Sequence, residues 1–231
     1  MKSEHFIEGL VNESIKLVAE TSPVFPDRTE AGKQLAEVLA QGTYPDPVIV
    51  AIPTGGIPVA LPVQERLKVP LYLLFAAKVP FSSDRRFGIG AMTTVGPYLN
   101  DELIDLFDLD EDRIKSGLEY ASEVIKRNMA ALGDHTLSLP DLEGKTAILV
   151  DDGISTGYTA LSVATSLKSL HAQRVIIASP VAYTSSLSRL LSKGFEHVVV
   201  HQSDSPGFIV DNFYRAFPDL SPAQVRDMLG A

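Results

Sequence analysis

The segment from Thr146 to Thr159, TAILVDDGISTGYT, constrains the fold and the chemistry of this chain more than any other stretch. A short apolar run ends in two acids, Asp151 and Asp152, and a turn rich in glycine and hydroxyl side chains follows. This order predicts a buried parallel strand, a tight turn and the start of a helix. Because ligands of open α/β sheets bind at the carboxyl ends of strands, we expect a binding site here.

Each part of this segment has a predicted chemical use. Gly153 and Gly157 let the backbone approach a ligand closely, and free N–H groups at a helix start favour a phosphate. Ionised aspartates only accept hydrogen bonds, so the vicinal hydroxyl groups of a ribose would complement them. Further hydroxyl donors in the turn are Ser155, Thr156 and Thr159. A strand followed by a merely polar cap is the simpler alternative, but it leaves most of this string unexplained.

The rest of the chain alternates apolar runs with amphipathic segments. The predicted strands are 47–53, 71–76, 146–150, 175–178 and 197–200. The predicted helices are 6–19, 28–41, one starting near Ile57, 111–132, 156–170, 185–192 and one starting after Ser221. This alternation predicts a doubly wound, mainly parallel α/β sheet with helices on both faces. We expect a single domain over 1–231, with N-terminal helices (1–42), a core (47–200) and a small C-terminal hood (201–231).

The stretch from Lys78 to Pro97 departs from this alternation. It combines proline, several glycines and charged residues that include Arg85 and Arg86, and it has little periodicity. We interpret it as a long loop with room for a hairpin. Loops of this length in compact domains often cover functional sites.

Composition excludes several classes of function. The chain has no cysteine, so disulfides, thiolate zinc sites and a cysteine nucleophile are excluded. Its net charge of -9 argues against a general nucleic-acid-binding surface. No apolar run approaches the roughly 20 residues of a membrane span, and the acidic start does not read as a signal peptide. We therefore expect a cytoplasmic protein without a membrane or nucleic-acid partner.

The string VDDGISTGYT resembles the phosphoribosyl-pyrophosphate motif of type I phosphoribosyltransferases. That motif consists of an apolar strand, two acids and a small-residue loop that ends in Thr-Gly-x-Thr. The wider chain is similar to a group of bacterial phosphoribosyltransferases of undetermined substrate. This similarity rests on AGKQLAEVLA, IPTGGIPVA, the lysine after the next strand, FGIGAM and SPAQVRDML, and it covers most of the chain.

The resemblance implies a role for each matching residue. Asp151 and Asp152 would bind the ribose hydroxyls, and the loop Gly153–Thr159 would hold the 5-phosphate. The loop that contains Pro53 would grip pyrophosphate, often through a strained non-proline peptide bond. The implied ribose 5-phosphate site is Asp151, Asp152, Gly153, Ile154, Ser155, Thr156, Gly157, Tyr158 and Thr159. The implied pyrophosphate site is Thr54, Gly55, Gly56, Lys78, Arg85 and Arg86, and the implied catalytic residues are Asp151, Asp152 and Lys78.

The resemblance also implies a reaction. The 5-phosphoribosyl group of phosphoribosyl pyrophosphate would pass to a nitrogenous base or similar acceptor, and pyrophosphate would be released. Mg²⁺ would bind mainly through the substrate, without a dedicated metal site on the protein. The acceptor would lie under the hood, where Phe208 is a candidate to stack on a planar base. A homodimer is common among similar enzymes, and the sequence leaves the oligomeric state open.

Two departures from the pattern of this group keep a second hypothesis open. Thr54 stands where the group usually has an arginine, and Arg86 stands where an acid is usual. The chain could instead be a non-catalytic regulatory protein that binds a nucleotide or phosphoribosyl pyrophosphate on the same fold. An aspartyl phosphatase is disfavoured because its two acids lie two residues apart. An NTPase is disfavoured because no G-x-x-x-x-G-K-[ST] loop is present.

Overall fold

The computed structural model describes residues 24–82, 88–133, 139 and 141–230. The helices are α1 (Arg28–Leu39), α2 (Gly56–Leu67), α3 (Asp101–Leu106), α4 (Glu111–Leu132), α5 (Tyr158–Ser169), α6 (Thr184–Ser192) and α7 (Pro222–Met228), with a 3-10 turn at Val210–Phe213. The strands are β1 (Pro47–Ala51), β2 (Leu71–Leu73), β3 (Ala76–Pro80), β4 (Gly88–Thr93), β5 (Pro97–Leu99), β6 (Thr146–Val150), β7 (Arg174–Tyr183) and β8 (Glu196–Ser203). The helix predicted over 6–19 lies outside the described residues.

The main sheet has five parallel strands in the order β2-β1-β6-β7-β8. Strand β6 is central and buried along its whole length, which explains its continuous apolar run. Alternate β6 residues belong to two cores, since Ile148 packs in the cluster that contains Leu35 of α1 and Leu149 in the cluster that contains Leu161 of α5. The predicted parallel sheet with helices on both faces is therefore confirmed.

Helix starts follow the capping residues that the sequence predicts. The Asp27 side chain accepts a hydrogen bond from the Glu30 amide at 2.9 Å, and Asp110 accepts one from the Arg113 amide at 2.8 Å. Ser221 forms a capping box at the start of α7. These side chains satisfy amides that have no partner within their own helix, which fixes where each helix begins.

The segment from Leu71 to Pro97 was predicted only in part. The predicted strand 71–76 is two strands in different sheets, because β2 ends at Leu73 and the chain then turns into β3. The predicted long loop contains strands of a separate antiparallel sheet in the order β3-β4-β5, so the hairpin for which it left room is present. Glycine, alanine and proline dominate these short strands, so they lack the alternation by which strands are recognised.

The antiparallel sheet packs on α5, the helix that follows the predicted phosphate loop. Ser162 donates a hydrogen bond to the carbonyl of Ala91 at 3.0 Å, and the hydroxyls of Ser166 and Thr93 are 2.8 Å apart. This packing brings Lys78 of β3 close to the carboxyl end of β6. Among the helices that the structure describes, none is long and apolar enough to cross a membrane.

Candidate active site

Asp151 and Asp152 follow β6 directly, and each carboxylate is fixed through one oxygen. The Asp152 amide donates to Oδ1 of Asp151 at 3.0 Å, and Nε of Arg28 donates to Oδ2 of Asp152 at 2.8 Å. No described residue forms a hydrogen bond with Oδ2 of Asp151 or with Oδ1 of Asp152. Neither oxygen is fully buried, so both remain open to a ligand. The pair therefore offers two fixed, accessible acceptors, which suits two neighbouring hydroxyl groups.

Burial dominates the electrostatics of the two acids. It raises the pKa of Asp151 well above its ordinary value, and repulsion from Asp152 adds to this shift. Burial also raises the pKa of Asp152, while the hydrogen bond and the charge of Arg28 act in the opposite direction. Perturbed carboxylates of this kind are common at functional sites, although structural ion pairs shift pKa values as well.

The loop after the acids is held from behind by α6. Ser186 donates a hydrogen bond to the carbonyl of Ser155, and the guanidinium of Arg189 donates one to the carbonyl of Thr156. In a trans peptide unit the N–H points opposite to the C=O, so the amides of Thr156 and Gly157 point away from α6. Within the described ranges, no residue accepts a hydrogen bond from these amides.

A cavity of about 140 Å³ lies at this loop. It is lined by Lys78, Asp151, Gly153, Ile154, Ser155, Thr156, Gly157, Thr159 and Ala160. Gly157 has a positive φ of 79°, which a glycine adopts easily, and α5 begins at the next residue. Backbone donors at a helix start, threonine hydroxyls and a lysine therefore face one small space, as a phosphate site requires.

The loop after β1 packs directly against the two acids. The peptide bond between Pro53 and Thr54 is cis. A Cβ atom on Gly55 would lie 2.1 Å from Oδ2 of Asp152, and one on Gly56 would lie 2.7 Å from the carbonyl oxygen of Val150. Glycine is thus required for this close approach, which places the predicted pyrophosphate loop beside the predicted ribose-binding acids.

The remaining predicted site residues lie elsewhere or are not described. Arg85 and Arg86 fall outside the described residues. Tyr158 does not line the phosphate cavity. Its hydroxyl accepts a hydrogen bond from Asn100 at 2.7 Å. Phe208 contacts the rings of Tyr183 and Phe213, with centroid distances of 5.7 and 5.0 Å. Phe208 therefore packs between the hood and the end of β7, and its role toward an acceptor stays a prediction.

The hood also covers part of the site, which the sequence analysis did not resolve. A Cβ on Gly153 would lie 2.3 Å from the side chain of Val210, so the 3-10 turn sits directly on this glycine. The Tyr214 hydroxyl donates to the carbonyl of Asp152 at 2.5 Å. The C-terminal segment is therefore in contact with the strand end that carries both acids.

Sequence reasoning missed Arg28, Ser186 and Arg189. Arg28 immediately follows the N-cap Asp27, and nothing in the helical pattern indicates that its side chain is buried. Ser186 and Arg189 lie in a short helix that reads as an ordinary amphipathic element. Contacts between residues so far apart in sequence leave no signal in one chain.

For a metal, the described part of the chain contains no cluster of three or more His, Asp or Glu residues that could hold an ion.

Comparisons with known proteins identify the family of this chain. A family model described as a phosphoribosyl transferase domain matches residues 27–211. A Mycobacterium tuberculosis protein provisionally named a phosphoribosyl transferase is 31% identical over 204 residues, which are 87% of this chain and 45% of that protein. A Prochlorococcus marinus ribose-phosphate pyrophosphokinase is 37% identical over 108 residues, which are 46% of this chain and 31% of that protein. The chain thus spans about half the length, or less, of these curated relatives.

A solved structure extends the comparison to most of the chain. The crystal structure of a protein from Thermus thermophilus matches with a TM-score of 0.72 and 27% sequence identity. The match covers 89% of this chain and 97% of that protein. The similarity therefore includes the elements on both sides of the candidate site.

Proposed function

This chain belongs to the phosphoribosyl transferase domain family, and on that premise we propose that it transfers a 5-phosphoribosyl group from phosphoribosyl pyrophosphate to a nitrogenous base or similar acceptor. The observation that carries the proposal is the position of Asp151 in the cavity of the loop 153–159. Carboxylate acceptors for a diol and backbone donors for a phosphate lie side by side there. Ribose 5-phosphate presents these two groups at opposite ends of one sugar.

The proposed binding mode divides the substrate among three groups of the protein. The ribose hydroxyls donate to the available oxygens of Asp151 and Asp152, and the 5-phosphate accepts from the amides of Thr156 and Gly157. Pyrophosphate lies along the glycine loop after β1. Lys78 lines the cavity of the loop 153–159, and its ammonium neutralises part of the charge of the bound phosphates.

In the proposed reaction the bond from ribose C1 to the pyrophosphate oxygen breaks, and both electrons leave with the oxygen. The lone pair of an acceptor nitrogen forms the new bond to C1, and that nitrogen releases its proton to solvent. Positive charge develops on the sugar ring in the transition state, as it does in glycoside cleavage. The carboxylates of Asp151 and Asp152 stabilise this charge through a preorganised field.

We expect the metal to arrive with the substrate, without a dedicated metal site on the protein. Mg²⁺ usually keeps several waters and binds through one or two carboxylates and substrate phosphates. When bound, it would offset the charge of the leaving pyrophosphate. The contribution of this chain is to hold the sugar, and Asp151 and Asp152 are the carboxylates nearest to that position.

The proposal is tested by incubating the protein with phosphoribosyl pyrophosphate, Mg²⁺ and a panel of nucleobases. Pyrophosphate release that depends on one base is expected, and Asp151→Asn should slow it by about a hundredfold or more, because a charge-assisted contact and the field on the sugar are both lost. Asp105→Asn, which changes an exposed acid of α3, is the matched control. Absence of both binding and release would contradict the proposal.

The same experiment separates the regulatory alternative. Thr54 supports that alternative, because it places no cation in the glycine loop beside the pyrophosphate position. A regulatory protein would bind phosphoribosyl pyrophosphate tightly and release no pyrophosphate with any base of the panel. Calorimetric binding measured alongside the release assay distinguishes the two outcomes.

A further inference from the structure

Arg28, the first residue of α1, is a charged side chain buried beside the acids. Only 10% of its side chain is exposed, and a buried charge is costly unless it is paired and hydrogen-bonded. Its Nε donates to Oδ2 of Asp152 at 2.8 Å, and its Nη1 donates to the carbonyl of Pro218 at 2.8 Å. Its Cζ atom lies 3.4 Å from the ring centroid of Phe217. These contacts join the first described helix, the C-terminal segment and one candidate ribose-binding acid.

The geometry of these contacts fixes a direction. A guanidinium is planar and presents its donors in a rigid fork. The Phe217 ring packs against the Arg28 guanidinium from one side, and the Pro218 carbonyl accepts a hydrogen bond from its Nη1. The remaining Nε–H then sets where Oδ2 of Asp152 lies, and so where the other carboxylate oxygen points.

From this arrangement we infer that Arg28 is a positioning residue of the ribose site. It orients Oδ1 of Asp152 toward a ribose hydroxyl. Because Arg28 also binds the C-terminal segment, this orientation depends on the position of that segment. The inference rests on the proposed function, because it assumes that a ribose binds at these acids. It adds a residue that the phosphoribosyl-pyrophosphate motif does not contain.

The charges around Asp152 support this role. Burial raises its pKa, and Arg28 lowers it through a hydrogen bond and its charge, while Asp211 raises it. Asp151 is the other acid beside it, and the Tyr214 hydroxyl faces its backbone carbonyl. Without Arg28 the pKa of Asp152 rises further, because the hydrogen bond and the charge that oppose the effect of burial are both lost. Raising the pH favours the ionised form.

The test compares binding of ribose 5-phosphate to the wild type and to Arg28→Gln by calorimetry. Near pH 7 we expect the variant to bind about tenfold more weakly, as the loss of one aimed, charged acceptor predicts. Near pH 8.5 part of the difference should remain, because ionisation of Asp152 does not restore the direction of its available oxygen. Arg28→Lys, which keeps the charge without the planar fork, should be intermediate. Thermal unfolding of each variant checks that it is folded.

The matched control is Arg66→Gln. Nε of Arg66 also donates to a carboxylate at 2.8 Å, that of Glu37, but the pair is exposed and remote from the acids. Exposed pairs contribute little to stability, so this variant should bind ribose 5-phosphate within about twofold of the wild type. A similar loss in both arginine variants would overturn the inference.

A double-mutant cycle with Asp152→Asn assigns the effect to its cause. If Arg28 acts through Asp152, then Arg28→Gln should add little once that carboxylate is gone. Full additivity would overturn the inference in favour of a packing role, and full recovery of affinity near pH 8.5 would overturn it in favour of a purely electrostatic role. Unchanged binding by Arg28→Gln overturns the inference alone. If the wild type binds no ribose 5-phosphate, the proposed function fails and the inference fails with it.

Discussion

The loop after β6 and the loop after β1 meet at the same edge of the sheet, but their backbones are held in different ways. Side chains of α6 hold the first loop, since Ser186 and Arg189 bind the carbonyls of Ser155 and Thr156. The second loop is held by close packing. Its Gly55 and Gly56 leave no room for a Cβ atom against the end of β6.

This difference indicates where each loop is vulnerable. The geometry of the β6 loop depends on residues about thirty positions further along the chain, so a substitution outside the motif can disturb it. The β1 loop depends on the absence of side chains, so the smallest possible addition disturbs it directly. Variants of the two loops should therefore fail in different ways, and ligands for the two halves of the substrate can separate them.

The largest effect is expected for Gly55→Ala. The added Cβ would collide with Oδ2 of Asp152, an oxygen that Arg28 already holds in place. Either the loop or the acid must move, and loss of a charged hydrogen bond weakens binding about ten- to a hundredfold. Calorimetry with phosphoribosyl pyrophosphate and Mg²⁺ measures this.

Gly96→Ala is the control for this substitution, because a Cβ at that position has nothing within 4 Å. It should leave affinity unchanged. Binding of phosphoribosyl pyrophosphate by Gly55→Ala at the level of the control would show that close packing does not govern the β1 loop.

A smaller and more selective effect is expected for Arg189→Gln. Loss of its bond to the Thr156 carbonyl frees the peptide units of the phosphate loop, at a cost of about 1 kcal/mol or roughly fivefold in affinity. Ribose 5-phosphate should bind more weakly, while inorganic pyrophosphate should bind as it does to the wild type. Ser188→Ala, on the exposed side of the same helix, is the control. Equal losses for both ligands would contradict the separation of the two loops.

Much of this arrangement is readable from the sequence because its parts are adjacent in the chain. The strand, the acids and the loop from Thr146 to Thr159 are contiguous, so residue type and order suffice to predict them. Asp27, Asp110 and Ser221 mark helix starts by a local rule that the structure confirms. Glycines after β1 likewise indicate a close approach of the backbone.

The missed features depend on contacts between distant parts of the chain. Arg28 and Asp152 are 124 positions apart, and no periodicity connects them. The antiparallel sheet was predicted only as room for a hairpin, because Gly88 and Gly90 carry no side chain that could show an alternating pattern. A single sequence specifies these contacts only through the folded core, which local rules do not describe.

The smallest effect concerns stability at the acids between the two loops. Burial and the neighbouring acid raise the pKa of Asp151, so its neutral form is favoured in the folded state. The corresponding stability is fully present below about pH 4 and is lost as pH rises through the folded pKa. The variant Asp151→Asn has no carboxyl to ionise at this position, so its stability does not fall as the pH rises. Its side-chain oxygen can still accept the hydrogen bond from the Asp152 amide, so its Tm near pH 7 should be roughly 2–4 °C higher than that of the wild type.

This gain should disappear at about pH 4, where the wild-type carboxyl is neutral as well. Thermal unfolding of the wild type and Asp151→Asn at both pH values measures it. A variant that is less stable than the wild type near pH 7 would show instead that the Asp151 carboxylate stabilises the fold.

The most direct measurement is a crystal structure of the protein with bound ribose 5-phosphate. The account predicts that phosphate oxygens accept from the amides of Thr156 and Gly157, with N···O distances of about 2.7–3.2 Å. It also predicts that the ribose hydroxyls donate to Oδ2 of Asp151 and Oδ1 of Asp152. A ligand ordered elsewhere, or one bound here with its hydroxyls directed away from both acids, would contradict the account.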